Sequence, residues 1–120
     1  MAKTFLLLGA LAGAVGVALG AFGAHALRSR LTPEMLAVFE TGVRYQMYHA
    51  LALLLTAALV PRMPGKALVA AGWCFTGGIV LFSGSLYLLA VTGVTVLGAI
   101  TPIGGVAFLA GWLSLIIAAL

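Results

Sequence analysis

The sequence predicts an all-α, polytopic membrane protein: a four-transmembrane-helix bundle with a short amphipathic interfacial helix between the first and second spans. Two observations predict it. Of the 120 residues, 64% are hydrophobic and 7% charged, against about 25% charged in a soluble globular chain, and the mean hydropathy is +1.27. The apolar residues also fall into four stretches, at about 4–27, 43–60, 67–90 and 97–120, near the roughly 20 residues a helix needs to cross the hydrocarbon core. The connections are too short for an aqueous domain, so residues 1–120 read as a single membrane domain.

The net charge of +4 does not indicate nucleic acid. Lys3, Arg28, Arg30, Arg62 and Lys66 stand at the ends of apolar segments with no aromatic residues interleaved, which is the placement of bilayer anchors. The lipid bilayer is the expected partner. Cys74 is the only cysteine, which excludes an internal disulfide and a multi-cysteine metal site.

The first apolar run, Thr4 to Gly23, is followed by "AHA" at 24–26, resembling a signal-peptidase site. The run exceeds the 7–15 residues of a signal-peptide core and is glycine-rich, so it reads as the first span. Its glycines, Gly9, Gly13, Gly16, Gly20 and Gly23, alternate spacings of four and three. That average of 3.5 keeps them on one face of a left-handed helix pair. Helices in lipid gain little from hydrophobicity, and bare glycine surface lets them approach closely.

Small-residue seams recur at Ala71, Cys74, Gly78 and Ser85 in the third span, and at Gly104, Ala107, Gly111, Ser114 and Ala118 in the fourth. The second span has no glycine after Gly42, so it packs by bulky side chains or faces lipid more. No internal repeat relates the halves, which leaves an inverted-repeat transporter without support.

The interfacial helix is placed at about 33–42, with Thr32 as N-cap, Pro33 in the first position and Glu34 near the positive dipole end. At 100° per residue, Met35, Leu36, Val38, Phe39 and Val43 share one side; Glu34, Ala37, Glu40, Thr41 and Arg44 share the other. Gly42 is the expected bend into the second span. In "AITPIGG", either Thr101 caps a helix starting at Pro102, or Pro102 kinks a longer helix.

Alternate spans run in opposite directions, so one membrane face collects most of the polar side chains. The candidate ligand-binding residues are His25, Glu40, Arg44, Tyr45, Gln46, His49, Ser83, Ser85, Tyr87 and Thr101. Glu40 and Arg44 have the i, i+4 order that favours an ion pair. A buried Arg44 requires a partner or a ligand, because an unpaired charge in the bilayer costs about 2.5–3.5 kcal/mol. The rival reading of His25 and His49 is a haem or metal site, but two histidines without a third clustered ligand are a weak signal. No nucleophile-elbow pattern or third catalytic member accompanies the serines, so the expectation is neither an enzyme nor a cofactor protein.

Together, "GAFGAHAL", "TGVRYQMYHALALL", "LFSGSLYLLAVTG" and "ITPIGG" resemble the motif set of domain-of-unknown-function family 423. These are small four-helix proteins of bacterial inner membranes with eukaryotic relatives of the transmembrane protein 256 type. The resemblance runs from about residue 5 to 115. It implies a four-helix fold and a bacterial inner-membrane location, and carries no catalytic residues or substrate. The residues in those motifs coincide with the polar cluster.

Two functions from different classes follow. The first is binding or transport of a small polar ligand or lipid headgroup in the polar cluster. The alternative is a non-catalytic accessory or structural subunit that forms homo-oligomers or joins a larger membrane complex. Lys3, Arg62 and Lys66 on one face stand against Arg28, Arg30 and Arg44 on the other, and the positive-inside rule is applied with both termini cytoplasmic.

Overall fold

The computed structural model describes residues 1–120 as four long helical rods with no β-strand. They are α1 (Ala2–Leu27), α2 (Pro33–Leu59), α3 (Lys66–Thr92) and, after a 3-10 turn over Thr95–Ala99, α4 (Thr101–Ala119). Three stretches are long and apolar enough to cross a membrane: Ala2–Leu27, Lys66–Thr92 and Thr95–Ala119. α2 is not among them. Its 27 residues extend about 40 Å at 1.5 Å per residue, but Glu34, Glu40, Arg44, Gln46 and His49 dilute its apolar character.

The helix ends follow local chemistry. Thr32 Oγ1 accepts the Met35 N–H at 3.2 Å and Pro33 occupies the first turn of α2, a cap that contributes about 1 kcal/mol. α3 stops on Gly93, at φ 72°, whose N–H returns to the Leu89 carbonyl at 2.8 Å. That left-handed conformation favours glycine.

Two expectations at helix boundaries are corrected. α2 continues without a break through Gly42, so residues 33–42 are its first turns rather than a separate element. The bare Gly42 surface is instead the seat of the Tyr87 ring from α3. The apolar side foreseen for this segment does turn inward: Phe39 is buried, and Met35, Leu36, Val38 and Val43 are half-buried, while Glu34, Ala37, Glu40 and Arg44 are exposed. Thr101 does not cap α4. The helix starts at Thr101, with Ile100 at the cap position and Pro102 in the first turn, and the Thr101 hydroxyl bonds elsewhere.

α1 packs along α2, α2 against α3, and α3 along α4, whereas α1 and α4 form no extended contact. The molecule is accordingly flattened, with extents of 48 × 26 × 17 Å. α2 is the interior helix, burying Phe39, Gln46, His49, Leu53 and Thr56 among others; of the two alternatives for it, packing prevails over lipid exposure. Phe5, Leu53, Phe75 and Phe108, with Ala52, Ala57 and Ala71, form the apolar core.

Glycines set how the rods fit. Gly9, Gly16 and Gly20 of α1 face Leu54, Met47 and Val43 of α2, Gly13 lies near Ala50, and Gly23 receives the Phe39 ring. Between α3 and α4 the arrangement is reciprocal: Phe75 sits on Gly111 and Phe108 on Gly78. Aliphatic side chains and Met47 therefore fill most of the α1 notches and aromatic rings those between α3 and α4 at Gly78 and Gly111, gaining dispersion contacts that a side chain there would displace. Gly104 differs. A methyl group on it would lie 2.7 Å from the Phe82 Cα, so there backbone meets backbone.

α1 and α3 each contain one π-helical segment, Leu19–Gly23 and Ile79–Ser83. A π turn has a wider hydrogen-bond step than the α-helix and changes the register of the residues beyond it. In α3 the segment ends on Ser83, which is buried against α2.

Candidate functional site

Gln46 is the hub of the polar cluster. Buried on α2, it donates through Nε2 to the Ala12 carbonyl of α1 at 2.8 Å and accepts the Tyr87 hydroxyl of α3 on Oε1 at 2.6 Å. Gly16 lies one turn after Ala12, and a Cβ built there would approach Gln46 Nε2 to 3.5 Å. The missing side chain leaves the α1 backbone open to the amide. One turn before Gln46, the Gly42 carbonyl accepts the Ser83 hydroxyl at 2.7 Å. Gln46, Ser83 and Tyr87 thus join three helices.

A second group ties α3 to α4. Ser85 Oγ donates to the Phe82 carbonyl at 2.9 Å and lies 2.7 Å from Thr101 Oγ1. Since a serine hydroxyl has one proton, this pattern assigns the Thr101 proton to Ser85.

His49 forms the third group. Its Nδ1 is 2.7 Å from the Tyr45 carbonyl, so Nδ1 carries the proton. Its Nε2 then accepts the Trp112 indole N–H at 3.0 Å. The ring lies parallel to Phe108, with centroids 3.5 Å apart and planes at 5°. Both nitrogens are engaged, so a metal or haem iron would have to displace Trp112 or the carbonyl. No three His, Cys, Asp or Glu side chains come close enough to hold a metal ion.

The side chains of the other foreseen residues lie outside these bonds. His25, Glu40 and Arg44 are exposed, and Tyr45 is exposed and packs on Phe82 with ring centroids 4.9 Å apart and planes tilted by 42°. Every buried side-chain nitrogen and oxygen has a hydrogen-bond partner. The cluster is closed on itself.

Sequence reasoning missed Trp112, Phe108, Phe82 and the Ala12 carbonyl. Trp112 carried a usable signal, because an indole N–H in an apolar helix needs an acceptor, and histidine and glutamine were the acceptors at hand. Two grooves flank the cluster. One, of about 550 Å³, opens between α2 and α4 and is lined by Tyr45, Tyr48, His49, Phe82, Phe108 and Trp112, with Gly105 in its wall. The other, of about 370 Å³, opens between α1 and α3 over Gln46 and Tyr87. Both follow from the pairing of the helices, which leaves α1 and α4 at opposite corners.

Comparison with known proteins agrees with the sequence motifs. A family described as "Protein of unknown function (DUF423)" matches residues 19–105. UPF0382 membrane protein YwdK of Bacillus subtilis is 50% identical over 98% of this chain and 96% of its own length. UPF0382 membrane protein SERP0230 of Staphylococcus epidermidis is also 50% identical, with the same coverage. UPF0382 membrane protein SH2409 of Staphylococcus haemolyticus is 49% identical over 96% of this chain and 93% of its own length. No solved structure matches.

Proposed function

This chain belongs to the DUF423 family, and from that premise we propose that it is a non-catalytic membrane protein that binds lipid along its side, its polar cluster acting as an internal clamp. The observation that carries this reading is that no buried side-chain nitrogen or oxygen lacks a partner. A small polar ligand inside the cluster would have to break bonds already made, each costing about 1–3 kcal/mol when one partner is left unsatisfied. The lateral grooves are lined mainly by apolar and aromatic residues. Lipid is the solvent they meet.

In this reading α2 crosses the bilayer with the other three helices, because Gln46, His49 and the Gly42 carbonyl turn inward and bond to them. Residues 1–120 then form one membrane domain in a bacterial inner membrane, with both termini cytoplasmic. Lipid headgroups remain in the proposal, met by the exposed Arg44 rather than by the closed cluster.

The test is native mass spectrometry after mild extraction from the cell's own membrane. A monomer or homo-oligomer carrying phospholipid is expected. Stoichiometric foreign subunits with no adduct would overturn the lipid reading and favour the second one, an accessory or structural subunit. That alternative draws on Gly77 and Gly84, seven residues apart on α3, where an added Cβ meets nothing within 4 Å. Such open small-residue surface admits a partner helix.

A further inference from the structure

We propose that the groove between α2 and α4 binds one anionic phospholipid from the leaflet at the Arg44 end of the bundle, with an acyl chain in the groove and the phosphate on Arg44. This rests on the lateral-lipid reading above and names its ligand class and site.

The groove is built rather than incidental. α2 and α4 do not pack along one another, and rings braced from three helices hold the space. His49 is fixed by Trp112 at 3.0 Å and stacked on Phe108, while Tyr45 rests on Phe82 and Phe82 on Phe108, at centroid separations of 4.9 and 5.3 Å. Walls already held in place spare a ligand the cost of ordering them. Gly105 contributes no side chain, so α4 leaves the space free.

Size indicates the occupant. On α4 the lining runs from Gly105 to Trp112, about 10 Å at 1.5 Å per residue. That is most of one leaflet of a hydrocarbon core about 30 Å thick. It is also only two helical turns, short of the roughly 800 Å² per partner that a specific protein interface buries. A single chain suits it; a second helix does not.

Charge identifies the headgroup. On α2 the groove is lined by Tyr45, Tyr48, His49 and Leu51. At 100° per residue Arg44 falls within the arc these residues cover, one turn before Tyr48. It is exposed and takes no part in the hydrogen-bonded cluster. A guanidinium at the mouth of an apolar groove matches a phosphate, which it can grip with two N–H donors. Tyr45 and Tyr48, 38% and 54% exposed, give the mouth the amphipathic rings favoured at the membrane interface.

The test uses the full chain in nanodiscs of equimolar phosphatidylglycerol and phosphatidylcholine with identical acyl chains, read by native mass spectrometry. The wild type should retain one phosphatidylglycerol per chain. Gly105→Leu should lose it: a Cβ there lies 3.9 Å from Phe82 Cδ2, so the side chain enters the groove without backbone collision. Leu109→Trp, at a position 70% exposed, blocks the same groove from outside the core if Gly105→Leu fails to fold. Arg44→Gln should keep a lipid but lower the phosphatidylglycerol preference about tenfold, as for one lost charge-assisted hydrogen bond.

Retention of both lipids in proportion to the mixture would overturn the anionic assignment and leave lateral lipid binding standing. Undiminished phosphatidylglycerol in a folded groove-filling variant would overturn the site. Absence of retained lipid from every form, or a second chain protecting the groove, would overturn both this proposal and the reading beneath it.

Discussion

Trp112 donates its indole N–H to His49 Nε2 at 3.0 Å across 63 residues of sequence. The bond fixes the histidine tautomer, because Nδ1 is already committed to the Tyr45 carbonyl. With the stacking of His49 on Phe108, it links α2 to α4, two helices that do not pack along one another.

Trp112→Phe should therefore destabilise the fold by about 1–3 kcal/mol, the cost of a buried acceptor left without its donor. His49→Phe combined with Trp112→Phe should recover part of that loss, since neither position then carries an unmet polar group. Unfolding in detergent across this double-mutant cycle measures the coupling. Strictly additive losses would show that the bond contributes nothing.

Gln46 gives a second comparison. Gln46→Leu strands the Tyr87 hydroxyl and removes the link to the Ala12 carbonyl, with an expected loss of about 2 kcal/mol or more. Tyr87→Phe removes one donor and keeps the ring on Gly42, with an expected loss of about 1 kcal/mol. Equal losses in chemical denaturation would contradict the place of Gln46 as hub.

The glycines separate by what they face. Gly104→Ala drives a methyl against the Phe82 backbone, which cannot rotate away, and overpacking of this kind costs about 1–3 kcal/mol or more. Gly77→Ala meets open space and should be neutral or stabilising by about 0.5–1 kcal/mol, the helix preference of alanine over glycine. Thermal midpoints of the two variants should move in opposite directions, or only that of Gly104→Ala should fall.

Glu40 and Arg44 lie outside the bundle interior. Glu40→Gln and Arg44→Gln should each change unfolding by less than about 0.5 kcal/mol, as for surface positions without buried partners. A large loss in either would place a charge inside the packed structure.

The haem or metal alternative has its own check. With both His49 nitrogens engaged and His25 exposed, the purified protein is expected to show no visible absorption band and no stoichiometric metal by elemental analysis. A haem spectrum abolished by His49→Ala would reverse that expectation.

Composition and periodicity alone determined that the chain is helical and membrane-embedded and which residues carry its polarity, while the start of α2 at Pro33 as one unbroken rod and of α4 at Thr101 came from the structure. These properties rest on local preferences: Thr32 before Pro33 makes a cap, and uncharged length makes a span. The identities of Gln46, His49, Ser83, Ser85, Tyr87 and Thr101 were legible for the same reason, since polar atoms in apolar helices must find partners. Only the tertiary structure decided which partners. Ser83 reaches Gly42, and Gln46 reaches both Ala12 and Tyr87, through registers that depend on glycine notches and on π turns with no sequence mark. The tertiary structure also decided that the cluster closes on itself and that the grooves open sideways, because the helices pack as neighbours in chain order and leave α1 and α4 apart.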